Sequence, residues 1–225
     1  MREGGKLGIA ESGLNETMNC KDHWEQVYQT KAPDDVSWFQ TQPAISLKLI
    51  KSSGVGKDAG IIDVGGGASV LVDFLFDAGF GKLAVLDISA AALEHARRRL
   101  GKRADSVEWL EEDVTTFQPA RRFGLWHDRA VFHFLTDKAD CEKYVQTLKR
   151  TLMPGGHVVI ATFAMDGPPK CSGLEVTRYD AASICAELGV EFQLVEQASE
   201  THTTPWDTQQ KFSYFRFARN AAAQP

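Results

Sequence analysis

Ile61-Ile62-Asp63-Val64-Gly65-Gly66-Gly67-Ala68-Ser69 is the stretch on which the reading of the fold turns. An apolar run of strand length enters three glycines, and a helical pattern follows. Glycine at such a turn permits positive φ and lets backbone amides approach a ligand at a helix N-terminus. Outward from the turn, short apolar runs alternate with helical stretches, the pattern of βα units around a parallel sheet. Strands are expected at 60–64, 82–86, 107–111, 124–127, 157–162, 191–196 and 211–218, and helices at 69–78, 90–100, 141–152 and 181–188. No helix separates the last two strands, so they should close the sheet as an antiparallel hairpin. Upstream, Asp22 is the expected N-cap of a helix carrying Trp24, Val27 and Tyr28 on one face. Pro43 stands in the first turn of a second helix, which bears Ile45, Leu47, Leu49 and Ile50 and ends near Gly54.

Carboxylates sit where this architecture would use them. The second strand ends at Asp87, 22 residues beyond Gly65, where a carboxylate can accept from both hydroxyls of a ribose. Glu112 and Asp113 follow the third strand on the same carboxyl edge and are placed to hold an adenine amino group. A dinucleotide-binding oxidoreductase would also use the Gly65–Gly67 run, but Val70 stands where the third glycine of G-x-G-x-x-G belongs.

Composition narrows the classes further. The chain has 225 residues, 43% of them hydrophobic, and 30 acidic against 25 basic side chains for a net charge of −5. That balance gives no basic field for nucleic acid. No apolar run approaches the roughly 20 residues of a bilayer span, so no membrane partner and a cytoplasmic location are expected. Residues 1–20 are rich in Gly, Ser, Glu and Asn and read as a flexible tail. Residues 21–225 read as one domain whose first part, 21–58, is a helical lid. Four cysteines without CxxC spacing and six scattered histidines predict reduced thiols and no metal site.

The segments Asp63-Val-Gly-Gly-Gly, Val-Leu-Asp87-Ile-Ser, Glu112-Asp113-Val114 and Leu152-Met-Pro-Gly-Gly-His-Val, in this order, resemble class I S-adenosylmethionine-dependent methyltransferases of the type 11/12/25 domain group. The resemblance runs from about residue 21 to 219. It implies a Rossmann-like α/β fold with a seven-stranded sheet, mostly parallel, helices on both faces and an antiparallel terminal hairpin. It implies S-adenosylmethionine as cofactor and S-adenosylhomocysteine as product. Carried over by position, Gly65, Gly66 and Gly67 pass under the methionine moiety and Asp63 orients the glycine loop or the ammonium through water. Asp87 and its neighbour Ile88 sit at the ribose, Asp113 binds the adenine amino group and the Val114 backbone the ring nitrogen. Trp38, with Phe39, is expected to fold over the methionine portion as a lid.

The fourth strand leads into Trp126-His127-Asp128-Arg129-Ala130-Val131-Phe132-His133, and the His127-Asp128-Arg129 triplet is similar to thiopurine-type small-molecule methyltransferases. In the family this segment faces the sulfonium, which adds His127 to the cofactor contacts. It lacks Asn/Asp-Pro-Pro-Tyr/Trp, which disfavours the amino-directed DNA enzymes, and Gly124 replaces a frequent aspartate. Methyl transfer is a direct displacement, so the protein chiefly aims a nucleophile and excludes water. If the nucleophile arrives protonated, His127, Asp128 or His133 is the expected base; alternatively Asp128 pairs with Arg129 and His133 packs on the next helix. The loop 163–174, with Cys171, and the segment 201–206 are expected to border a small-molecule acceptor. A protein lysine acceptor is the alternative, because His23-Trp-Glu-Gln-Val-Tyr28 and Ser37-Trp-Phe39 are also similar to elongation-factor lysine methyltransferases. A non-catalytic cofactor-binding regulator is the reading from another class.

Overall fold

The computed structural model describes residues 19–221; residues 1–18, most of the expected tail, lie outside them. The strands of the main sheet are β1 (Ile61–Val64), β2 (Leu83–Asp87), β3 (Val107–Glu111), β4 (Phe123–Arg129), β5 (Leu152–Phe163), β8 (Phe192–Thr203) and β9 (Gln209–Arg219); β6 (Lys170–Cys171) and β7 (Leu174–Glu175) form a separate two-stranded ribbon. Their order is β3-β2-β1-β4-β5-β9-β8. The first five run parallel, while β9 is antiparallel to both β5 and β8. This is the expected mostly parallel seven-stranded sheet with its terminal hairpin. The carboxyl ends of β1 and β4 lie side by side at its centre, where the order reverses, the place where open α/β sheets form a crevice.

The two-residue period of each strand divides the core. Ile62, Val64, Leu86, Trp126 and Ile160 point to one face, which α5 (Lys138–Thr151) and α6 (Ala181–Leu188) cover with Tyr144, Leu148, Ile184 and Leu188. Ile61, Leu83, Val85, Leu125 and Val159 point to the other, covered by α2 (Ala44–Ser52), α3 (Leu71–Asp77) and α4 (Ala90–Leu100) through Leu49, Leu71, Leu75 and Leu93. Helix α1 (Cys20–Thr30) belongs to neither layer; it lies over the carboxyl edge, with Tyr28 against Ala68 and Ala92.

Several boundaries differ from the sequence expectation. The N-cap of α1 is Asn19, whose side chain accepts from the Lys21 amide, and Asp22 falls inside the first turn, where its charge complements the dipole. Residues 19 and 20 therefore belong to structure rather than tail. Strand β5 begins at Leu152 instead of 157, and the terminal strands run to Thr203 and from Gln209, so Thr201 to Thr203 are strand and not loop. Long edge hairpins extend wherever backbone partners are available, which side-chain pattern alone does not mark.

Candidate active site

The glycine turn is held by what surrounds it. Gly65 has φ +65° and donates its amide to Leu86 O; a side chain there would collide with Val131. A Cβ on Gly66 would stand 2.5 Å from Asp63 Oδ2, and one on Gly67 2.5 Å from Asp87 Oδ2 and 2.6 Å from Ala92. The glycines thus let two buried carboxylates approach the backbone of the turn, and no other residue type fits.

Asp87, 7% exposed, accepts from the Ser89 amide at 2.9 Å. Burial pushes its carboxyl up to about 7 against the amides of Ser89, Gly67 and Ile88, with Asp63 adding to the rise. Asp113 receives the Thr115 amide and hydroxyl on Oδ1, both at 2.8 Å, and keeps Oδ2 free. Asp87, Ile88, Glu112, Asp113 and Val114 all line one cavity of about 480 Å³ at the carboxyl edge. Trp24 and Tyr28 of α1, together with Trp38 and Phe134, wall its other side. Trp24 meets both Trp38 (80°) and Phe134 (73°) edge to face. A smaller hollow of about 60 Å³ adjoins it at the glycine turn, lined by Asp63, Gly65, Gly66, Ser46, His127 and Phe39 among others. Trp38, Gly65 and Arg129 border both. Gly67 borders neither; it acts through Asp87.

The three expected bases are not free to serve this space. In His127, 3% exposed, Nδ1 lies 2.6 Å from Asp63 Oδ1 and Nε2 2.8 Å from Ser46 Oγ. With the proton on Nδ1, the ring donates to Asp63 and accepts from the serine, so both nitrogens are spent. Asp128 is completely buried below the edge. Its oxygens accept from the amides of Val131 (2.9 Å) and Phe132 (3.1 Å) and from the Tyr144 hydroxyl (2.6 Å). Burial raises its carboxyl to about 6, opposed by those donors. They close the turn in which Ala130 has φ +70°, a conformation costly for a residue with a Cβ. Asp128 does not pair with Arg129, whose ionic neighbour is Glu200 at 3.5 Å. His133 is likewise fully buried. It lies beside Phe134 and Phe163, with Nδ1 receiving the Phe163 amide at 3.4 Å. Burial first, and Arg129 second, push its pKa down to about 3, so the ring is neutral. Neither Asp128 nor His133 borders either cavity. In this structure Asp128 closes the turn and His133 packs between aromatic rings.

From the loop 163–174 only Cys171 reaches the large cavity; burial holds its thiol up at about 11. From 201–206 nothing does: His202 Nε2 instead donates to Ser37 O at 2.8 Å, pinning the segment that carries Trp38. Residues that sequence reasoning passed over complete the site. Ser46 and Tyr28 looked like ordinary members of amphipathic helices, and Arg129 like an ion-pair partner of its neighbour. In the fold Arg129 Nε donates to Tyr214 Oη (2.8 Å) and Nη1 to Trp38 O (3.0 Å). Among the described residues no group of three or more His, Cys, Asp or Glu is arranged to hold a metal, and no helix is long and apolar enough to cross a membrane.

Comparison with known proteins adds to this geometry. Residues 61–156 match the methyltransferase domain family. That match falls on the part of the chain that holds the glycine turn and strands β1 to β4. Nodulation protein S of Rhizobium tropici is 30% identical over 148 residues, 66% of this chain and 61% of that protein. The mouse eEF1A lysine and N-terminal methyltransferase is 23% identical over 150 residues, 64% of this chain and 21% of its own length. The chain therefore spans about three fifths of the first relative and about a fifth of the second. Among solved structures, N-methyltransferase NodS from Bradyrhizobium japonicum WM9 in complex with S-adenosyl-L-homocysteine superposes with a TM-score of 0.67 at 19% identity, covering 88% of this chain and 99% of that one. The likeness establishes the shared fold.

Proposed function

We propose that this protein is an S-adenosylmethionine-dependent methyltransferase that transfers the methyl group by direct displacement to a small-molecule acceptor. One observation carries the reading: the glycine turn, the strand-end carboxylates Asp87 and Asp113, and a buried carboxylate oxygen with no partner among the described residues, Asp63 Oδ2, all converge on joined cavities at the sheet's switch point. The residues fit the cofactor. Asp87 would take the ribose hydroxyls, Asp113 Oδ2 and the Val114 backbone the adenine, and the glycine turn the methionine chain. Asp63 Oδ2, an orphaned acceptor whose burial is costly unless a donor arrives, suits an ammonium. When bound, the cofactor supplies an electrophilic methyl group. The chain's own part is to orient and to exclude water: α1 and Trp38 cover the edge, and Ala130 brings backbone against the cavity. His127, Asp128 and His133 are engaged elsewhere, so an acceptor would arrive already nucleophilic or lose its proton to solvent.

Titration calorimetry tests the reading directly. S-adenosylmethionine and S-adenosylhomocysteine should bind and nicotinamide dinucleotides should not; the reverse result rejects it. Protein lysine methylation is the second reading, favoured by the eEF1A methyltransferase relative. The wall that α1 builds over the cavity suits a small acceptor better than a protein surface. Incubation with labelled cofactor separates the two, label entering lysate proteins in one case and small nucleophiles in the other. Absence of any turnover would leave a cofactor-binding regulator. The N-methyltransferases among the structural neighbours, including NodS, make nitrogen acceptors the first to screen.

A further inference from the structure

The cavity is chemically divided. Its carboxylates, Asp87, Glu112, Asp113, Asp137 and Asp140, lie along the ends of β2 and β3 and the start of α5. Where α1, the segment carrying Trp38, the end of β4 and the β6–β7 ribbon meet, the lining is Tyr28, Arg129 and Cys171, with Asp87 facing Tyr28 from the acidic side. Each of these three has a hydrogen to give. The Tyr28 oxygen already accepts from Trp38 Nε1 at 3.2 Å, and its own hydroxyl proton has no acceptor among the described residues. Burial keeps both that phenol and the Cys171 thiol protonated. Arg129 uses Nε and Nη1, while Nη2 is buried and has no hydrogen-bond partner among the described residues. Glu200 forms an ion pair with it at 3.5 Å but no hydrogen bond, and its oxygens also accept from Gln40 (2.7 Å) and Tyr214 (2.6 Å). A buried guanidinium N–H without a hydrogen bond is costly even where its charge is balanced, and a carboxylate is its best geometric match.

We propose that the methyl acceptor is a small carboxylic acid whose carboxylate is received by Arg129, with Tyr28 and Cys171 as supporting donors, and whose flat apolar body lies against Trp24, Trp38 and Phe134. This rests on the function proposed above and names its substrate class. The carboxylate of the cofactor's own methionine is the other source of the same chemistry, since Arg129 borders both cavities.

The test uses the full chain and four probes: benzoate, benzamide, S-adenosylhomocysteine and 5′-methylthioadenosine, the last lacking the amino-acid part. Calorimetry first establishes S-adenosylhomocysteine binding; its failure would reject the methyltransferase reading itself. On the S-adenosylhomocysteine complex, benzoate should bind about tenfold or more tighter than benzamide, the scale of a charge-assisted pair. Arg129→Gln should abolish that preference and Arg129→Lys should keep part of it. Equal binding of acid and amide by the wild-type protein, or binding of neither, overturns the proposal without any variant needing to fold. An Arg129→Gln protein that loses S-adenosylhomocysteine but keeps 5′-methylthioadenosine also overturns it, by assigning Arg129 to the cofactor.

Discussion

Tyr144 and Asp128 hold each other inside the apolar layer beneath the edge, and the consequence is felt at Ala130. Removing the phenol hydroxyl takes one of three donors from a carboxylate that burial has already pushed up to about 6. Tyr144→Phe should therefore lower stability by ~1–3 kcal/mol, measured by urea unfolding, while S-adenosylhomocysteine affinity changes little. Asp128→Ala should cost more, because two amides and the Tyr144 hydroxyl lose their acceptor and the left-handed turn loses its clasp. A folded Asp128→Ala protein of wild-type stability would contradict this structural role. Gly67→Ala reads the other side of the edge. Its Cβ would press on Asp87 Oδ2, so S-adenosylhomocysteine affinity should drop by tenfold or more even where the protein still folds, since the ribose carboxylate must move. Residues of this kind show why chemistry was only half legible in sequence. A His-Asp-Arg run at a strand end looks reactive because its side chains are ionisable. What disarms Asp128 and His133 are Tyr144 and the Phe163 amide, 16 and 30 residues away, which no local pattern reports.

Elements couple through the same groups. Helix α2 touches the sheet centre by one polar chain, Ser46 to His127 to Asp63, all within 3% exposure. Ser46→Ala should cost ~1–2 kcal/mol of stability and loosen α2 more than the sheet, detected as faster amide exchange in residues 44–52 than in β1. Uniform exchange across both would mean that the chain of bonds does not anchor the helix. The segment between α1 and α2 is latched by three contacts, two to the edge strand β8 and one to the end of β4: His202 Nε2 to Ser37 O, Gln40 Nε2 to Glu200 and Arg129 Nη1 to Trp38 O. It carries no regular structure of its own at Trp38 and Phe39. Ligand binding beneath Trp38 should therefore change its fluorescence and slow proteolysis within residues 31–42. An unaltered cleavage pattern at saturating S-adenosylhomocysteine would leave the aromatic pair as packing. The elements themselves were readable because βα periodicity and the glycine turn are local signals. The caps and latches were not, since Asn19 replaced Asp22 through one side-chain bond and the latches join residues more than 90 positions apart.

At the scale of the whole molecule, the fold keeps Asp87 in an unfavourable state that a ligand can relieve, and pH exposes this. Burial raises its carboxyl to about 7, with Asp63 of β1 adding to the rise; Tyr28 and the Cys20 thiol of α1 face it as uncharged neighbours. A carboxylate whose folded pKa lies above its unfolded value of about 3.9 weakens the ligand-free fold as pH rises from about 4 through 7, because folding then has to bury a charge. Two ribose hydroxyls donating to the ionised form reverse that penalty, so the ligand binds the carboxylate better than the acid. Below pH 7 binding must first release the proton, at about 1.4 kcal/mol per pH unit in the limit. The increase in Tm produced by saturating S-adenosylhomocysteine should thus grow between pH 5.5 and 8 and level off above, with a proton released on binding near pH 6. Four histidines whose pKa values are lowered, His23, His133, His157 and His202, weaken both forms as pH falls below 6.5, and they cancel in the difference between bound and free protein. Asp87→Asn should flatten the dependence while leaving the ligand-free protein at least as stable at pH 7.5. A ligand-induced shift that is the same at pH 5.5 and 8 in the wild-type chain would show that Asp87 does not receive the ribose as a carboxylate.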